Sequence, residues 1–352
     1  MTFLNGDKKI VVLGTGGTIA GTALHAADNI GYTAAQLGVS ELLAAVPCLS
    51  AALAGRSLVI EQVGQIDSKD MSFQLWQQLA RRVHHHLSQA DVQGIIITHG
   101  TDTLEETAYF LHAVLPASQL AAKPVVLTGA MRPASSLAPD GPQNLLDALA
   151  VAMTDGACGV VAVCAGTVHA APDVQKVHSY RLDAFNSGDA GPVAYVEEGA
   201  VQLLRNWPWG PRSPSDAGEA MLEQMATFQN WPRVEIVLNY AGASGAQVDA
   251  LLCQSGASSS NAAPLRGLVV AATGNGTLHR DLHAALLRAQ AAGVQVVLAT
   301  RCANGRVLPM PGRGFPDSEG LSPVKARIAL MLALMQGDGE KISLPAPQIP
   351  GQ

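Results

Sequence analysis

The amino-acid sequence predicts an α/β fold of two domains with mainly parallel sheets, the N-terminal domain larger than the C-terminal one. Short apolar runs rich in β-branched residues alternate along the chain with longer helix-like runs. The β-type runs are apolar on both faces, as parallel strands covered by helices are. A stretch rich in Pro, Gly and Ser interrupts this alternation near residue 205, and the alternation then resumes.

The elements follow in chain order. Buried strands are predicted at residues 9–14 (KIVVLG), 94–98 (GIIIT), 124–129 (PVVLTG) and 159–164 (GVVAVC). Helices are predicted between them, in SFQLWQQLARRVHHHLSQ and in GPQNLLDALAVAMT. Beyond the interruption, VEIVLNYAG, GLVVAATGNG and VQVVLAT repeat the pattern more compactly, which predicts a second α/β domain.

The interruption itself, RNWPWGPRSPSDAGE, predicts an interdomain linker. We therefore predict an N-terminal α/β domain at residues 1–205, a linker at 206–232 and a C-terminal α/β domain at 233–352.

Composition excludes several classes of protein. The 352 residues are 48% hydrophobic and 14% charged, so the chain can fill a large core and is not disordered. The net charge of −6, without a long basic run, argues against a nucleic-acid partner. No apolar run approaches the roughly 20 residues of a membrane span, and the N-terminal one is too short for a secretory signal. Five cysteines without a C-x-x-C pair predict free thiols in the cytoplasm.

Two polar loops follow predicted strands. In IITHGTDTLEETAYF, Thr103 and Glu106 match a capping box that would begin a helix. The pair does not account for Thr101 and Asp102, which precede the cap at the position where open α/β sheets bind ligands. A turn that merely connects strand and helix is the alternative interpretation.

The second loop, VVLGTGGTIAG, lacks the third glycine of a dinucleotide fingerprint because Ile19 occupies that position. It also lacks the lysine of a phosphate-binding loop. What remains is a loop with little side-chain bulk around Thr15 and Thr18, whose backbone N–H groups could approach a ligand and donate to an oxyanion. A plain glycine-rich turn is the alternative.

A threonine hydroxyl must be activated before it can act as a nucleophile. The phenol of Tyr32 follows Thr18 closely, and Lys176 of APDVQKVHS is a lone lysine for which we predict an uncharged setting. A lysine whose ammonium form is disfavoured by burial or by nearby positive charge can serve as a base. A solvated surface lysine is the alternative for Lys176.

Together these stretches resemble the bacterial L-asparaginase family that uses threonine. The resemblance covers nearly the whole chain and rests on GTGGTIAG, ITHGTDTLEETAYF, VVLTGAMRP, DGPQNLLDA, GNGTLH and KARIALMLAL. It implies hydrolysis of L-asparagine to aspartate and ammonia through an acyl-enzyme, without a metal or cofactor. It also implies a flavodoxin- or Rossmann-like C-terminal domain and a homotetramer, a dimer of dimers whose sites lie between two subunits.

Carried over by position, the resemblance makes Thr18 the primary nucleophile and Tyr32 its activating partner on a mobile lid. It makes Thr101 the second catalytic threonine, with Asp102 and Lys176 beside it. Which of the two threonines carries the acyl group is left open by the residues alone.

The same resemblance assigns the substrate contacts. Ser68 of DSKDM would hold the α-carboxylate, and Asp102 would hold the α-ammonium beside Thr101. The backbone carbonyl of Ala130 in TGAMRP would face the side-chain amide. These residue types match a zwitterionic amide, which needs an anion for its ammonium and donors for its carboxylate.

Three positions depart from the family pattern. Lys69 stands where glutamine is common, which bears on whether glutamine is accepted as a substrate. Gly242 stands where many members place an asparagine that reaches a neighbouring site. Glu319 is the only acidic candidate in a loop that delivers a glutamate to the α-ammonium in some relatives.

Other functions are alternatives to asparagine hydrolysis. An asparaginase/glutaminase with broad amide specificity and an ammonia-supplying subunit of a tRNA amidotransferase belong to the same class. A non-enzymatic amino-acid sensor would not need a base such as Lys176, and a nicotinamide oxidoreductase would need the missing glycine. RRVHHHL predicts a solvated helix face, because consecutive helix positions point about 100° apart and cannot converge on one metal ion.

Overall fold

The computed structural model describes residues 8–208, 217–227, 231–256, 263–310, 312 and 314–337. The chain divides into two compact units, Met1–Thr227 and Phe228–Gln352. One unit holds a large, mainly parallel sheet and the other a small parallel sheet, so the predicted fold class is confirmed.

The larger unit is described first. Among its described residues the strands are β1 (Lys9–Gly16), β2 (Ser57–Ile66), β3 (Val92–Thr98), β4 (Pro124–Thr128), β5 (Gly159–Cys164), β6 (Thr167–Ala170), β7 (Gln175–Lys176), β8 (Phe185–Asn186), β9 (Ala194–Glu197) and β10 (Ala200–Leu203). Its α-helices in the same ranges are α1 (Val39–Ala44), α2 (Leu49–Ala52), α3 (Phe73–Leu87), α4 (Leu104–Val114), α5 (Ala117–Ala122), α6 (Gly141–Met153) and α7 (Ala217–Thr227).

Eight of these strands form one sheet in the order β10-β9-β6-β5-β4-β3-β1-β2. Strands β2, β1, β3, β4 and β5 run parallel, whereas β6, β9 and β10 add an antiparallel edge. The carboxyl ends of β1 to β4 therefore lie next to one another at a single edge of the sheet. Strands β7 and β8 form a separate antiparallel pair.

Both faces of the large sheet are buried, as the apolar strand runs predict. On β1, Ile10 and Val12 belong to a core cluster that includes Leu145 and Ala148 of α6. The alternate residues of β1, Val11 among them, are equally inaccessible to solvent. Helices on both faces thus hold the central strands rigidly, and the loops at their carboxyl ends begin from fixed points.

The histidines of helix α3 contradict part of the prediction of a solvated helix face. Its three histidines have three different partners: His84 contacts Gln119, His85 contacts Gln89, and His86 lies 3.1 Å from the Glu61 carboxylate. The prediction of a solvated face is wrong for His86, which is buried.

The smaller unit contains, within its described ranges, β11 (Arg233–Leu238), β12 (Leu265–Ala272) and β13 (Gln295–Thr300), together with α8 (Ala246–Gly256), α9 (Arg280–Ala291) and α10 (Pro323–Gln336). The three strands pair in parallel in the order β11-β12-β13 around their own apolar core. Glu319 of this unit adopts a left-handed backbone (φ 52°), and partial burial raises the pKa of its carboxyl group.

The predicted linker falls partly outside the described residues, at positions 209–216 and 228–230. Between these two gaps lies α7, which belongs to the larger unit. The boundaries 1–205, 206–232 and 233–352 stay predictions. All five cysteines are free thiols, and each helix in the described ranges is too short or too polar to span a membrane.

Candidate active site

The loops that follow β1 and β3 touch through two glycines. Gly17 adopts a left-handed backbone (φ 88°), and a Cβ atom placed on it would lie 2.3 Å from the Cα atom of Gly100. Only glycine at position 17 allows this approach, because any side chain would overlap the facing backbone. Thr18 and Thr101 are the residues that follow these glycines, so the two loops bring both threonines to the same edge of the sheet.

Thr18 begins a short 3-10 turn and is almost fully buried. Its hydroxyl lies 2.7 Å from the phenol oxygen of Tyr32, and either atom can be the donor. Tyr32 belongs to the loop at residues 22–33, and an antiparallel β-bridge joins the two ends of this loop. The ring packs on Gly21, where a Cβ atom would come within 2.8 Å of it. The Thr18 hydroxyl therefore has a phenol at hydrogen-bond distance and no bulky group between them.

Thr101 meets a different pair of groups. The ammonium Nζ of Lys176 donates to the Thr101 hydroxyl at 2.8 Å and to the Asp102 carboxylate at 2.5 Å. The Lys176 side chain is 16% exposed, whereas that of Asp102 is 60% exposed. The Lys176 backbone N–H also donates to Glu105. The predicted uncharged setting of Lys176 is thus wrong: the residue lies between two carboxylates contributed by the Thr101 loop and the helix after it.

Ser68 reaches the same loops from the end of β2. It is 2% exposed and opens a short 3-10 turn. A Cβ atom on Gly100 would lie 2.5 Å from the Ser68 hydroxyl, so Ser68 packs against the backbone just before Thr101.

The side chain of Thr103 does not form the predicted capping box. It caps α4 by position, but its side chain makes no capping hydrogen bond. The Thr103 hydroxyl donates instead to the backbone carbonyl of Ser68 at 2.8 Å. The capping box with Glu106 is therefore not formed, and the hydroxyl ties the start of α4 to the Ser68 turn.

Lys69 carries the charge next to Ser68. Its ammonium pairs with the Asp67 carboxylate. That hydrogen bond, with smaller contributions from the charges of Asp70 and Asp102, raises the pKa of Lys69. A largely exposed cation is thus held beside the Ser68 turn.

Ala130 lies at the turn after β4 and is 1% exposed. A Cβ atom on the preceding Gly129 would come within 2.5 Å of the His99 carbonyl oxygen and 3.2 Å of the Thr101 methyl group. The Ala130 turn is therefore pressed against the Thr101 loop. Direct side-chain contacts join Thr18 to Tyr32 and Lys176 to Thr101 and Asp102, while Ser68 and Ala130 reach these groups through close backbone packing.

Two hydrogen-bond donors of the glycine-rich loop bind backbone carbonyls of neighbouring strands. The Thr15 hydroxyl donates to the Thr98 carbonyl at 2.9 Å and ties β1 to β3. The Gly17 N–H donates to the Ile66 carbonyl at 2.9 Å. This N–H group is therefore bonded within the fold.

A buried network beneath the Thr101 loop was missed by the sequence analysis. The Trp76 indole N–H donates to the Thr107 hydroxyl at 2.8 Å, and that hydroxyl lies 2.9 Å from Nε2 of His99. Nδ1 of His99 lies 2.7 Å from the Gly100 carbonyl, which can only accept, so the proton is on Nδ1. Burial lowers the pKa of His99 to about 4, which keeps the ring neutral. The histidine directly before the GTDT run was the available signal.

The sequence analysis also missed two residues around α6. Asp140 and Asn144 bind the backbone of the turn that contains Ala130. Both residues lie in the DGPQN run, which the sequence analysis used only as a motif of the family and to which it gave no role in the site.

The site thus combines a hydroxyl–phenol pair with a hydroxyl–ammonium–carboxylate set, which suits nucleophilic attack with proton transfer. Within the described ranges, no group of three or more His, Cys, Asp or Glu side chains is placed to hold a metal ion.

Known proteins resemble the chain over most of its length. The family described as "Asparaginase, N-terminal" matches residues 9–209, and the "Glutaminase/Asparaginase C-terminal domain" matches residues 233–343. L-asparaginase 2 of Escherichia coli (strain K12) is 35% identical over 334 residues, which cover 93% of this chain and 89% of the relative. A glutaminase-asparaginase of Pseudomonas fluorescens biotype A is 36% identical over 341 residues, which cover 94% and 88%.

A solved structure of a probable cytoplasmic L-asparaginase from Campylobacter jejuni is also similar. It matches with a TM-score of 0.83 and 33% sequence identity, covering 95% of this chain and 98% of that chain.

Proposed function

The chain belongs to the bacterial L-asparaginase family of amidohydrolases, and from this premise we propose that it hydrolyses L-asparagine to L-aspartate and ammonia. The observation that carries the proposal is the pairing of two threonine hydroxyls, on touching loops, with Tyr32 and Lys176. A binding protein for amino acids would need neither a phenol on one hydroxyl nor an amine on the other.

In the proposed reaction, the Thr18 oxygen attacks the side-chain amide carbon as its proton passes to the Tyr32 oxygen, and Tyr32 passes its own phenolic proton on to the amide nitrogen. The tetrahedral intermediate then collapses, and the amide nitrogen leaves as ammonia after taking up a proton. The acyl group is left as an ester on Thr18. A water molecule then attacks the ester and gives a proton, through the Thr101 hydroxyl, to the Lys176 amine. The ester C–O bond breaks, the Thr18 oxygen takes that proton up, and aspartate is released.

We propose that Ser68 and Asp102 hold the substrate's main-chain groups. The Ser68 hydroxyl would donate to the α-carboxylate, and the exposed Asp102 carboxylate would face the α-ammonium. Thr101 would lie beside that carboxylate, and the Ala130 carbonyl would accept from the amide N–H. A zwitterion would thereby be fixed with its side-chain amide toward Thr18.

The test is direct. Purified protein is incubated with millimolar L-asparagine, and ammonia and aspartate are both measured. Equal molar amounts of the two products support the proposal, and no ammonia release overturns it. Asparagine binding detected by calorimetry without turnover would identify the chain as an amino-acid sensor.

A second candidate is an asparaginase/glutaminase with broad amide specificity, which the Pseudomonas fluorescens relative favours by its name. The ratio of kcat/KM for asparagine to that for glutamine separates the two. A ratio near one indicates the broad enzyme, and a ratio of roughly a hundred or more indicates a pocket that rejects the extra methylene.

We also propose a cytoplasmic location and a homotetramer. The five free thiols suit a reducing compartment, and one structural relative is described as probably cytoplasmic. Cell fractionation with antibody detection tests the location.

A further inference from the structure

The first turn of α6 holds the backbone of the Ala130 turn. The Asp140 carboxylate accepts the Met131 N–H at 2.9 Å with one oxygen and the Arg132 N–H at 3.0 Å with the other. The Asn144 side chain supports this carboxylate by donating to it at 3.1 Å. Hydrogen bonds to a carboxylate are stronger than neutral ones, so this turn is firmly held.

The Asp140 contact fixes the direction of one carbonyl group. The Met131 N–H and the Ala130 C=O belong to the same planar peptide group, and in the trans form they point in opposite directions. Because the N–H points at Asp140, the Ala130 oxygen must point away from that carboxylate.

The preceding peptide group is fixed by Asn144, which is 2% exposed. Its side-chain N–H donates to the Gly129 carbonyl at 2.9 Å, and its oxygen accepts the Ala165 N–H at 3.0 Å. Both peptide groups that flank the Ala130 Cα atom therefore have a hydrogen-bond partner on α6 or at its cap. The turn cannot rotate without breaking at least one of these bonds.

We propose that Asp140 and Asn144 are positioning residues that aim the Ala130 carbonyl at the N–H of the scissile amide. This inference rests on the proposed function. It makes the enzyme selective for a nitrogen leaving group, because a carbonyl oxygen stabilises a bound N–H and gives nothing to an ester oxygen in the same place.

The experiment compares L-asparagine with the β-methyl ester of aspartate in the wild type and in Asp140→Asn. The asparagine side chain at position 140 would turn an N–H toward a backbone N–H and release the turn. We expect kcat/KM for asparagine to fall about tenfold while the value for the ester changes less than about twofold, as loss of one hydrogen bond implies.

Asp147→Asn is the matched control. Asp147 is a buried carboxylate on α6 that accepts from the Gln143 side chain and from the Gly166 backbone N–H. This variant should leave the amide-to-ester ratio unchanged. If Asp140→Asn does not fold, Asn144→Ala provides the same comparison, because it removes the donor to Gly129.

The outcomes separate the two proposals. A wild-type protein that releases ammonia from asparagine, with a lower amide-to-ester ratio in Asp140→Asn alone, supports the positioning role. Equal losses on both substrates, or an unchanged ratio, overturn it while the proposed function stands. A wild-type protein inactive on both substrates overturns the proposed function itself.

Discussion

At the residue scale, the two threonines differ in the group that meets each hydroxyl. Thr18 faces a phenol and Thr101 faces an amine. We expect Thr18→Ala to reduce ammonia release by a factor of order 10² or more, because the variant lacks the hydroxyl that attacks the amide in the proposed reaction. Thr18→Ser, which keeps the hydroxyl, should retain measurable turnover. Steady-state assays with asparagine provide the comparison.

The control for this prediction is Thr15→Val. Thr15 lies in the same loop, but its hydroxyl donates to the Thr98 carbonyl. The variant should lose about 1 kcal/mol of stability and keep its turnover per folded molecule. A Thr18→Ala protein that is folded and as active as the wild type would remove Thr18 from the mechanism.

Substitutions of Lys176 can show whether its side chain supplies a positive charge or accepts a proton. Lys176→Arg keeps a cation beside Asp102, but a guanidinium does not lose its proton at physiological pH. We expect Lys176→Arg and Lys176→Met to lose turnover to a similar degree, of order 10² or more, as loss of a general base does. The assay is the pre-steady-state burst of ammonia followed by steady-state release. An active arginine variant would show that Lys176 supplies charge alone.

At the element scale, the contact between the β1 and β3 loops depends on glycine. We expect Gly17→Ala to separate these loops, because its Cβ atom would lie 2.3 Å from the Cα atom of Gly100. Gly156→Ala is the matched control: its φ is also positive, and nothing lies within 4 Å of a Cβ atom there. A positive φ costs a residue with a side chain roughly 1 kcal/mol. Gly17 also has ψ −172°, a backbone region essentially restricted to glycine, so the additional loss of stability and activity in Gly17→Ala combines this strain with the loss of the loop contact. Equal behaviour of the two variants in melting and assay would contradict this account.

The buried network under the Thr101 loop joins α3, α4 and the end of β3, and it predicts a pH dependence of stability. The pKa of His99 falls from its usual 6.5 to about 4 in the folded protein. Between these two values the unfolded chain binds a proton that the folded protein does not, so the free energy of unfolding decreases as pH falls. The loss amounts to roughly 3 kcal/mol across this window.

Urea unfolding at pH 7 and pH 4.5 tests this prediction. Trp76 stacks on Phe110 and donates into the network, so its fluorescence reports on this region. His99→Gln should be less stable than the wild type at pH 7, and the difference should narrow at pH 4.5 because the variant has no histidine to titrate. A difference that is the same at both pH values would mean that His99 is not held neutral.

The central strands and their loops could be predicted because β1, β3, β4 and β5 are buried on both faces and read as uninterrupted apolar runs. Strand β2 was not predicted, since it is an edge strand whose polar residues are half exposed. The neutral state of His99 and the partners of Asp140 depend on residues far apart in sequence. Local sequence patterns carry no information on such contacts, and the capping box of Thr103 failed for the same reason.

At the scale of the whole molecule, both edges of the large sheet need protection from unwanted pairing. The edge strand β2 carries the charged Glu61, which is paired with Arg82. The opposite edge strand β10 and the residue after it present Leu203 and Leu204, each about half exposed. The open edge of β10 is a place where another chain could pair or pack.

The family resemblance implies a homotetramer, and we expect this state in solution. Light scattering coupled to size-exclusion chromatography should give about four times the 36.4 kDa chain mass. If neighbouring copies complete each site, as the family resemblance implies, specific activity will fall on dilution in step with that mass, because association follows mass action. A constant monomer mass at micromolar concentration would refute the assembly. A monomer with full activity would show in addition that one chain holds the complete site.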